Sequence, residues 1–202
     1  EYEVGQYINK QNKIFPCFLE TYGVYLYKDD ASWEHAKDKA TIVPNVLKNS
    51  LQVLNKIDYS VGCLKSKYLA IMVQHIKNPI TFNDFYKNAI LRSNDAQIFN
   101  WKKFISIYNH EIVCILYQIY MPLALLNNEF THYDLHTSNV LLYEPVQQSY
   151  ITYNYHLLSG KTVTFKSKYI AKIIDYGRCY YSDTPNNSLK TYNKICRTSE
   201  CD

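Results

Sequence analysis

The chain has 202 residues, 47% of them hydrophobic, with a formal charge of +4 and a pI near 8.6. That much apolar material supports one packed core and argues against a disordered segment. The 19 Lys and 3 Arg are spread along the chain and form no basic stripe, so nothing here points to a nucleic-acid partner.

The six cysteines, at positions 17, 63, 114, 179, 196 and 201, contain no CxxC pair, and most lie among apolar neighbours. That pattern belongs to reduced, intracellular thiols, not to a disulfide frame, and predicts a cytoplasmic protein. Cys196 and Cys201 are a minor candidate for a metal shared with residues further on. The most apolar run, Ile112 to Leu126, covers 15 residues and includes Gln118 and Pro122. A membrane helix needs roughly 20 apolar residues, so a buried core helix is expected and a membrane partner is not. The chain opens on Glu1 and closes on "KICRTSECD", which reads as a fragment of something longer.

In chain order, Val4, Tyr7 and Ile8 predict a short helix over residues 1–14. "PCFLETYGVYLYKDD" (16–30) alternates and predicts a strand or hairpin. Residues 31–60 are polar around an apolar patch at 42–54, which predicts a loop with a helical piece. "KYLAIMVQHI" (67–76) is a continuous apolar run and predicts a buried strand. "TFNDFYKNAI" (81–90) predicts a helix with Thr81 as N-cap and Asp84 in the first turn. A long helical pattern occupies 96–128, followed by a tight loop at 131–139 and a strand at 140–144. Residues 149–177 alternate around the turn "SGK", which predicts a hairpin and then a strand ending at Asp175. Helices followed by antiparallel strands define an α+β class.

The chemistry-bearing residues gather in "FTHYDLHTSNVLLYEP" (130–145) and "IIDYG" (173–177). A lone loop aspartate is usually a turn or cap residue. Asp134 is different because Asn139, Asp175 and Gly177 accompany it. Phosphoryl transfer needs such a set: one carboxylate to take the proton of the attacking hydroxyl, and an amide oxygen and a second carboxylate for Mg²⁺. A glycine after the metal carboxylate lets the chain turn sharply. Zinc at His132 and His136 is the competing idea, but the HExxH pattern lacks its Glu after His132. His35, His75, His110 and His156 read as structural or exposed. The tyrosine-rich segment 149–156 reads as a sheet face, and Lys161, Lys166, Lys168 and Lys172 as a solvated hairpin face.

"HYDLHTSNVLL" resembles the catalytic loop of the protein-kinase superfamily, and "IIDYG" resembles its metal-binding DFG element. The wording "FPCFLETYG … HYDLHTSNVLLYEP … FKSKYIAKIIDYGRCYY" is most similar to predicted serine/threonine kinases of giant DNA viruses. The surplus of Lys, Asn, Ile and Tyr agrees with an AT-rich genome. The resemblance spans about residues 1–180 and implies an incomplete kinase-like fold. Residues 1–73 would be an N-lobe remnant. Residues 74–202 would hold the hinge and a partial C-lobe with the catalytic loop, a hairpin inserted at about 146–168, and the DYG element.

The resemblance implies ATP and Mg²⁺ as cofactors and a protein Ser/Thr hydroxyl as acceptor. Asp134 would be the catalytic base, with His136 beside it, and Asn139 and Asp175 the metal ligands. Val73 would be the gatekeeper, and Gln74 and Ile76 would offer backbone groups to adenine. Glu1, or failing it Glu3, would stand for the helix glutamate that pairs with a phosphate-binding lysine. His132 would be structural and bond near the DYG turn. Four departures accompany this. Tyr133 replaces the arginine after the loop histidine. His136 replaces a lysine, as in small-molecule phosphotransferases, which keeps that class open. Asn139 and Asp175 lie 36 positions apart, much further than usual. With five glycines there is no GxGxxG, and no VAIK-type lysine precedes residue 10, which keeps a non-catalytic nucleotide-binding scaffold open.

Overall fold

A computed structural model describes residues 1–37, 51–54, 68–95 and 98–182. Helix α1 (Tyr2–Asn12) buries Val4, Tyr7 and Ile8 along one face, the predicted helical spacing. Its approach to the next strand, β1 (Thr21–Tyr27), is close. A Cβ at Gly5 would overlap the Thr21 side chain, so only glycine fits. Asn9 clasps the start of β1 twice: Nδ2 donates to Thr21 O at 2.6 Å, and Oδ1 accepts from Thr21 N at 2.9 Å.

Between residues 16 and 30 the chain makes one strand and not a hairpin, because β1 finds its partners further on. Strands β2 (Leu51–Leu54) and β3 (Leu69–Val73) flank it in an antiparallel sheet of order β2-β1-β3. The β1–β3 register slips between Thr21 and Gly23. Helix α2 (Asp30–Lys37) lies ahead of the apolar patch at 42–54; the described end of that patch, Leu51–Leu54, is strand β2 where a loop with a helical piece was expected, and residues 42–50 lie outside the described residues. β3 departs from the buried strand expected: its residues are half-buried and Val73 is 44% exposed. β3 is an edge strand of a small three-stranded sheet, so the apolar run is only half covered.

β4 (Ile80–Thr81) leads into α3 (Phe82–Arg92). Thr81 is the N-cap, its hydroxyl accepting from Asp84 N at 3.0 Å and donating to the Asp84 carboxylate at 2.7 Å. A two-residue pairing of β5 (Asn94–Asp95) with β6 (Ile98–Phe99) precedes the long helical stretch. That stretch starts at Trp101, later than the pattern suggested, and is broken: α4 (Trp101–Ile107), a π-helical turn (Tyr108–Ile112), then α5 (Val113–Leu125). Among the described residues, no helix is long and apolar enough to cross a membrane.

The remaining strands are β7 (Phe130–Thr131), β8 (Val140–Tyr143), β9 (Ile151–His156), β10 (Thr162–Ser167), β11 (Ile170–Ile173) and β12 (Tyr180–Tyr181). β9 and β10 form the expected hairpin, with Gly160 at φ 79° in its turn. β8 lies between β11 and β4 in a second three-stranded antiparallel sheet. The architecture is therefore α+β with small antiparallel sheets, as the element order implied.

The core joins these pieces. Ile8, Phe18, Ile115, Ile119, Phe130, Leu142 and Ile173 are each at most 2% exposed and belong to one cluster. Phe18 meets Phe130 edge-to-face with centroids 5.8 Å apart. Gln118, buried on α5, holds the start of β11 with both ends of its amide: Nε2 donates to Tyr169 O at 3.1 Å, and Oε1 accepts from Ala171 N at 3.0 Å.

Lys172 overturns its expected place on a solvated hairpin face. It lies on β11, 3% exposed, and its ammonium donates to Phe18 O at 2.9 Å. β11 is covered on both faces, so the alternation seen in the hairpin does not extend to it. Burial lowers the Lys172 pKa. Lys161 and Lys166 are exposed as expected. Cys17, Cys114 and Cys179 are free thiols; the other three cysteines, with the metal considered at Cys196 and Cys201, lie outside the described residues.

Candidate functional site

Two short loops face each other, and each is clamped at both ends by the same pair of sheets. β7, just before the loop 132–139, pairs with β12, just after the DYG turn: Phe130 is opposite Tyr181 and Thr131 opposite Tyr180. β8, just after the loop, pairs with β11, just before the turn: Val140 is opposite Ile173 and Leu142 opposite Ala171. The ladder runs one bond further, because Ile174 N donates to Asn139 O at 3.0 Å. Asp175 thus follows directly on a residue bonded to Asn139, although 36 positions separate the two in sequence.

Asp134 is tied into the same knot. Asn139 Nδ2 donates to Asp134 O at 3.1 Å, and Asn139 is 8% exposed. The Asp134 side chain is 32% exposed, so it sits part-buried and open to solvent. The Asp134 amide turns back on His132 O at 2.8 Å, across Tyr133 at φ 58°. An i to i+2 bond around a left-handed tyrosine is a strained γ-turn. Asp175 is also left-handed, at φ 64°. The described residues include four non-glycine positions of positive φ, and two of them adjoin or belong to this constellation. Such positions persist only where the surrounding structure holds them, and they cluster at functional sites.

The Asp175 carboxylate accepts from Gly177 N at 3.4 Å and caps the short 3-10 turn Tyr176–Arg178. A Cβ at Gly177 would press on the Asp175 carboxylate at 3.3 Å. Beneath the turn, the buried Tyr176 hydroxyl donates to Ile173 O at 3.0 Å and accepts from Leu19 N at 2.8 Å. Burial raises the Tyr176 pKa well above the phenolic range, so it remains a neutral donor.

His132 binds the two loops together. Its Nε2 lies 3.0 Å from Ile174 O. A carbonyl only accepts, so Nε2 carries the proton. Nδ1 is then buried without a partner among the described residues. Burial lowers the His132 pKa, against the opposing pull of Ile174 O, Asp175 and Asp134. Both carboxylates therefore act on one imidazole from across the loops.

Arg178 closes the constellation on its open side. Its Nε lies 4.0 Å from Asp134 Oδ2, and its side chain is 78% exposed. A pair so exposed contributes under about 1 kcal/mol to stability. Sequence reasoning passed over this residue. Its position next to the DYG turn was the available signal, but only the turn's direction shows which carboxylate it meets.

The other candidates make no side-chain hydrogen bond or ion pair with Asp134, Asn139 or Asp175 among the described residues. His136 is exposed and accepts from Ser138 N at 3.3 Å through Nδ1, capping the 3-10 turn Thr137–Asn139. It also lines, with Phe82, Tyr120 and Leu135, a hollow of about 130 Å³ between α3, α5 and the loop. That volume is well below the roughly 300–1,000 Å³ of ordinary small-molecule sites. Val73 ends β3 and is exposed. Gln74 N already donates to Glu20 O at 2.8 Å, which leaves its carbonyl for a ligand. Ile76 is buried in the cluster that holds Val140 and Ile173, so the 74–76 segment lies against the sheet that carries the loops. Glu1 is the exposed N-cap of α1, and its charge reaches Tyr176 and Cys179. Glu3 is exposed in the first turn of α1.

The donor set suits a hard cation. Asp175 offers a carboxylate. Asn139 has committed its amide nitrogen to Asp134 O, which leaves its amide oxygen for a ligand. Oxygen donors of this kind fit Mg²⁺ better than zinc. Among the described residues no group of three or more His, Cys, Asp or Glu is placed to hold a metal, so the His132 and His136 pair finds no third ligand of those types. No protein-family model matches the chain, and no curated protein matches it.

Proposed function

We propose that the chain is the catalytic core of a kinase-like phosphotransferase, which moves the γ-phosphoryl group of ATP to a hydroxyl, in the first instance a protein Ser or Thr. One observation carries the reading: the Ile174–Asn139 bond and the flanking strand pairs draw an acid, an amide and a second acid from distant segments into one loop cluster. The remaining features follow chemically. Asp134 is open enough to accept the proton of an acceptor hydroxyl and is held at its backbone by Asn139. Asn139 and Asp175 supply oxygen donors for Mg²⁺, which when bound would neutralise phosphate charge. The acceptor oxygen forms its bond to phosphorus, the bond to the bridging oxygen breaks, and ADP leaves with that electron pair. The acceptor's proton passes to Asp134. His132 keeps the two loops in register, and Val73, Gln74 and Ile76 are the segment set aside for the adenine.

The test is MgATP turnover by the chain with generic protein and small-molecule acceptors. Asp134→Asn is expected to reduce turnover by about 10²–10⁴ while nucleotide binding persists. Asp175→Ala is expected to abolish the Mg²⁺ dependence of ATP binding. Undiminished turnover in the first variant removes Asp134 as the base; unchanged metal-dependent affinity in the second removes Asp175 as a ligand.

A further inference from the structure

The geometry points to Arg178 as the cation that stabilises charge on the transferring phosphoryl group, an inference that rests on the phosphotransfer reading above. Three observations converge. First, Arg178 Nε lies 4.0 Å from the Asp134 carboxylate, so the guanidinium stands beside the group that would receive the acceptor's proton. Second, the pair uses Nε at long range, and no hydrogen bond holds the guanidinium to the described residues; with 78% of the side chain exposed, its Nη donors are left to solvent and to an incoming ligand. Third, the residue is carried on a stiff base: the 3-10 turn Tyr176–Arg178 is capped by Asp175 and closed by Cys179 N donating to Tyr176 O at 3.3 Å.

The other nearby candidate is set differently. His136 accepts through Nδ1 from Ser138 N, so in its neutral form it has only Nε2–H to offer, and its ring lines the hollow against α3 and α5. A loose transition state spreads negative charge over three phosphoryl oxygens. A planar guanidinium with free parallel donors matches that array better than a single neutral imidazole N–H. In the resting chain Asp134 holds the guanidinium near the reaction position. As the nucleotide arrives, the Nη donors turn to the phosphate, and Asp134 is freed to take the hydroxyl proton.

The experiment uses the whole chain with MgATP and an acceptor found by the turnover screen. Arg178→Ala is expected to lower kcat by about 10²–10³ with MgATP affinity unchanged. Arg178→Lys is expected to recover part of that loss. Guanidinium ion added at a non-denaturing concentration is expected to raise the activity of Arg178→Ala but not of the wild type. Because the side chain is exposed, thermal unfolding should be the same in all three proteins. Wild-type kcat in Arg178→Ala, a loss confined to ATP affinity, or a gain of activity, which would make Arg178 a restraint on Asp134, each overturns this assignment and leaves the phosphotransfer reading standing. A wild-type chain that neither binds MgATP nor turns it over removes both.

Discussion

The paired loops at 132–139 and 174–179 and the hairpin at 151–167 are built on opposite principles. Each loop is short, carries a left-handed non-glycine residue, and is clamped at both ends by strands from the other. Its backbone has few ways to move. Among the described residues the hairpin pairs only with itself, in a two-stranded sheet, and its tip residue Leu158 is fully exposed. It rests on α5 through rings: Tyr117 meets Tyr155 edge-on at 5.0 Å and Phe165 edge-on at 5.5 Å. One further tether is the Tyr153 hydroxyl, which donates to Tyr169 O at 3.1 Å. The comparison explains how 36 positions can separate Asn139 from Asp175 without loosening the cluster. The spacer begins on β8 and returns on β11, which are neighbours in one sheet, so loop length between them costs little.

Four changes break or sharpen that contrast. Phe130→Ala should have the largest effect. The ring is buried under both loops against Phe18, and its loss should cost about 3–5 kcal/mol in denaturant unfolding. Gln118→Leu comes next. It strands Ala171 N where β11 begins and leaves Tyr169 O with the Tyr153 hydroxyl alone, for a loss of about 1–3 kcal/mol. If that variant keeps wild-type stability, β11 is not held from α5.

Alkaline pH gives a graded effect, small just above about pH 9 and growing with each further unit. Burial pushes the Cys17 and Cys179 thiols up to about 12, against 9.0 for an ordinary thiol. The unfolded chain therefore releases these protons first, and stability falls as pH rises from about 9 toward 12. The slope is about 1.4 kcal/mol per pH unit for each thiol that stays protonated when folded. Thermal unfolding of Cys17→Ala against wild type across that window should show a shallower decline in the variant. Equal slopes would mean that Cys17 is solvated. Least affected should be Thr164→Ala on the outer face of the hairpin. Its hydroxyl meets only Asn154 at an exposed position, and the change should stay within about 0.5 kcal/mol. Turnover should be unaltered; a lost activity would tie the hairpin to the site.

Much of the molecule was legible because its signals are local. The Thr81 cap, the face of α1 and the turn at Gly160 each depend on residues a few positions apart. Asp134 with Asn139, and Asp175 with Gly177, stood out as two short local patterns for the same reason; that the two patterns meet in space was not local. Lys172 was not, because alternation across a hairpin and alternation on a strand covered from both sides look alike until the covering elements are known. The half-exposure of β3, the π-helical turn inside the long helix, and the approach of Arg178 to Asp134 were hidden for similar reasons.

Residue order alone determined which groups this protein could bring to chemistry: two carboxylates, an amide and the histidines around them, set in turns by neighbouring glycine and strand formers. Tertiary structure decided whether those groups meet. β8 with β11 and β7 with β12 close loops that begin and end far apart, and such closure is a property of paired backbones and a shared core. It also decided which charges stay in water, since Lys172 and Arg178 follow the same alternating stretch and one is buried while the other reaches Asp134.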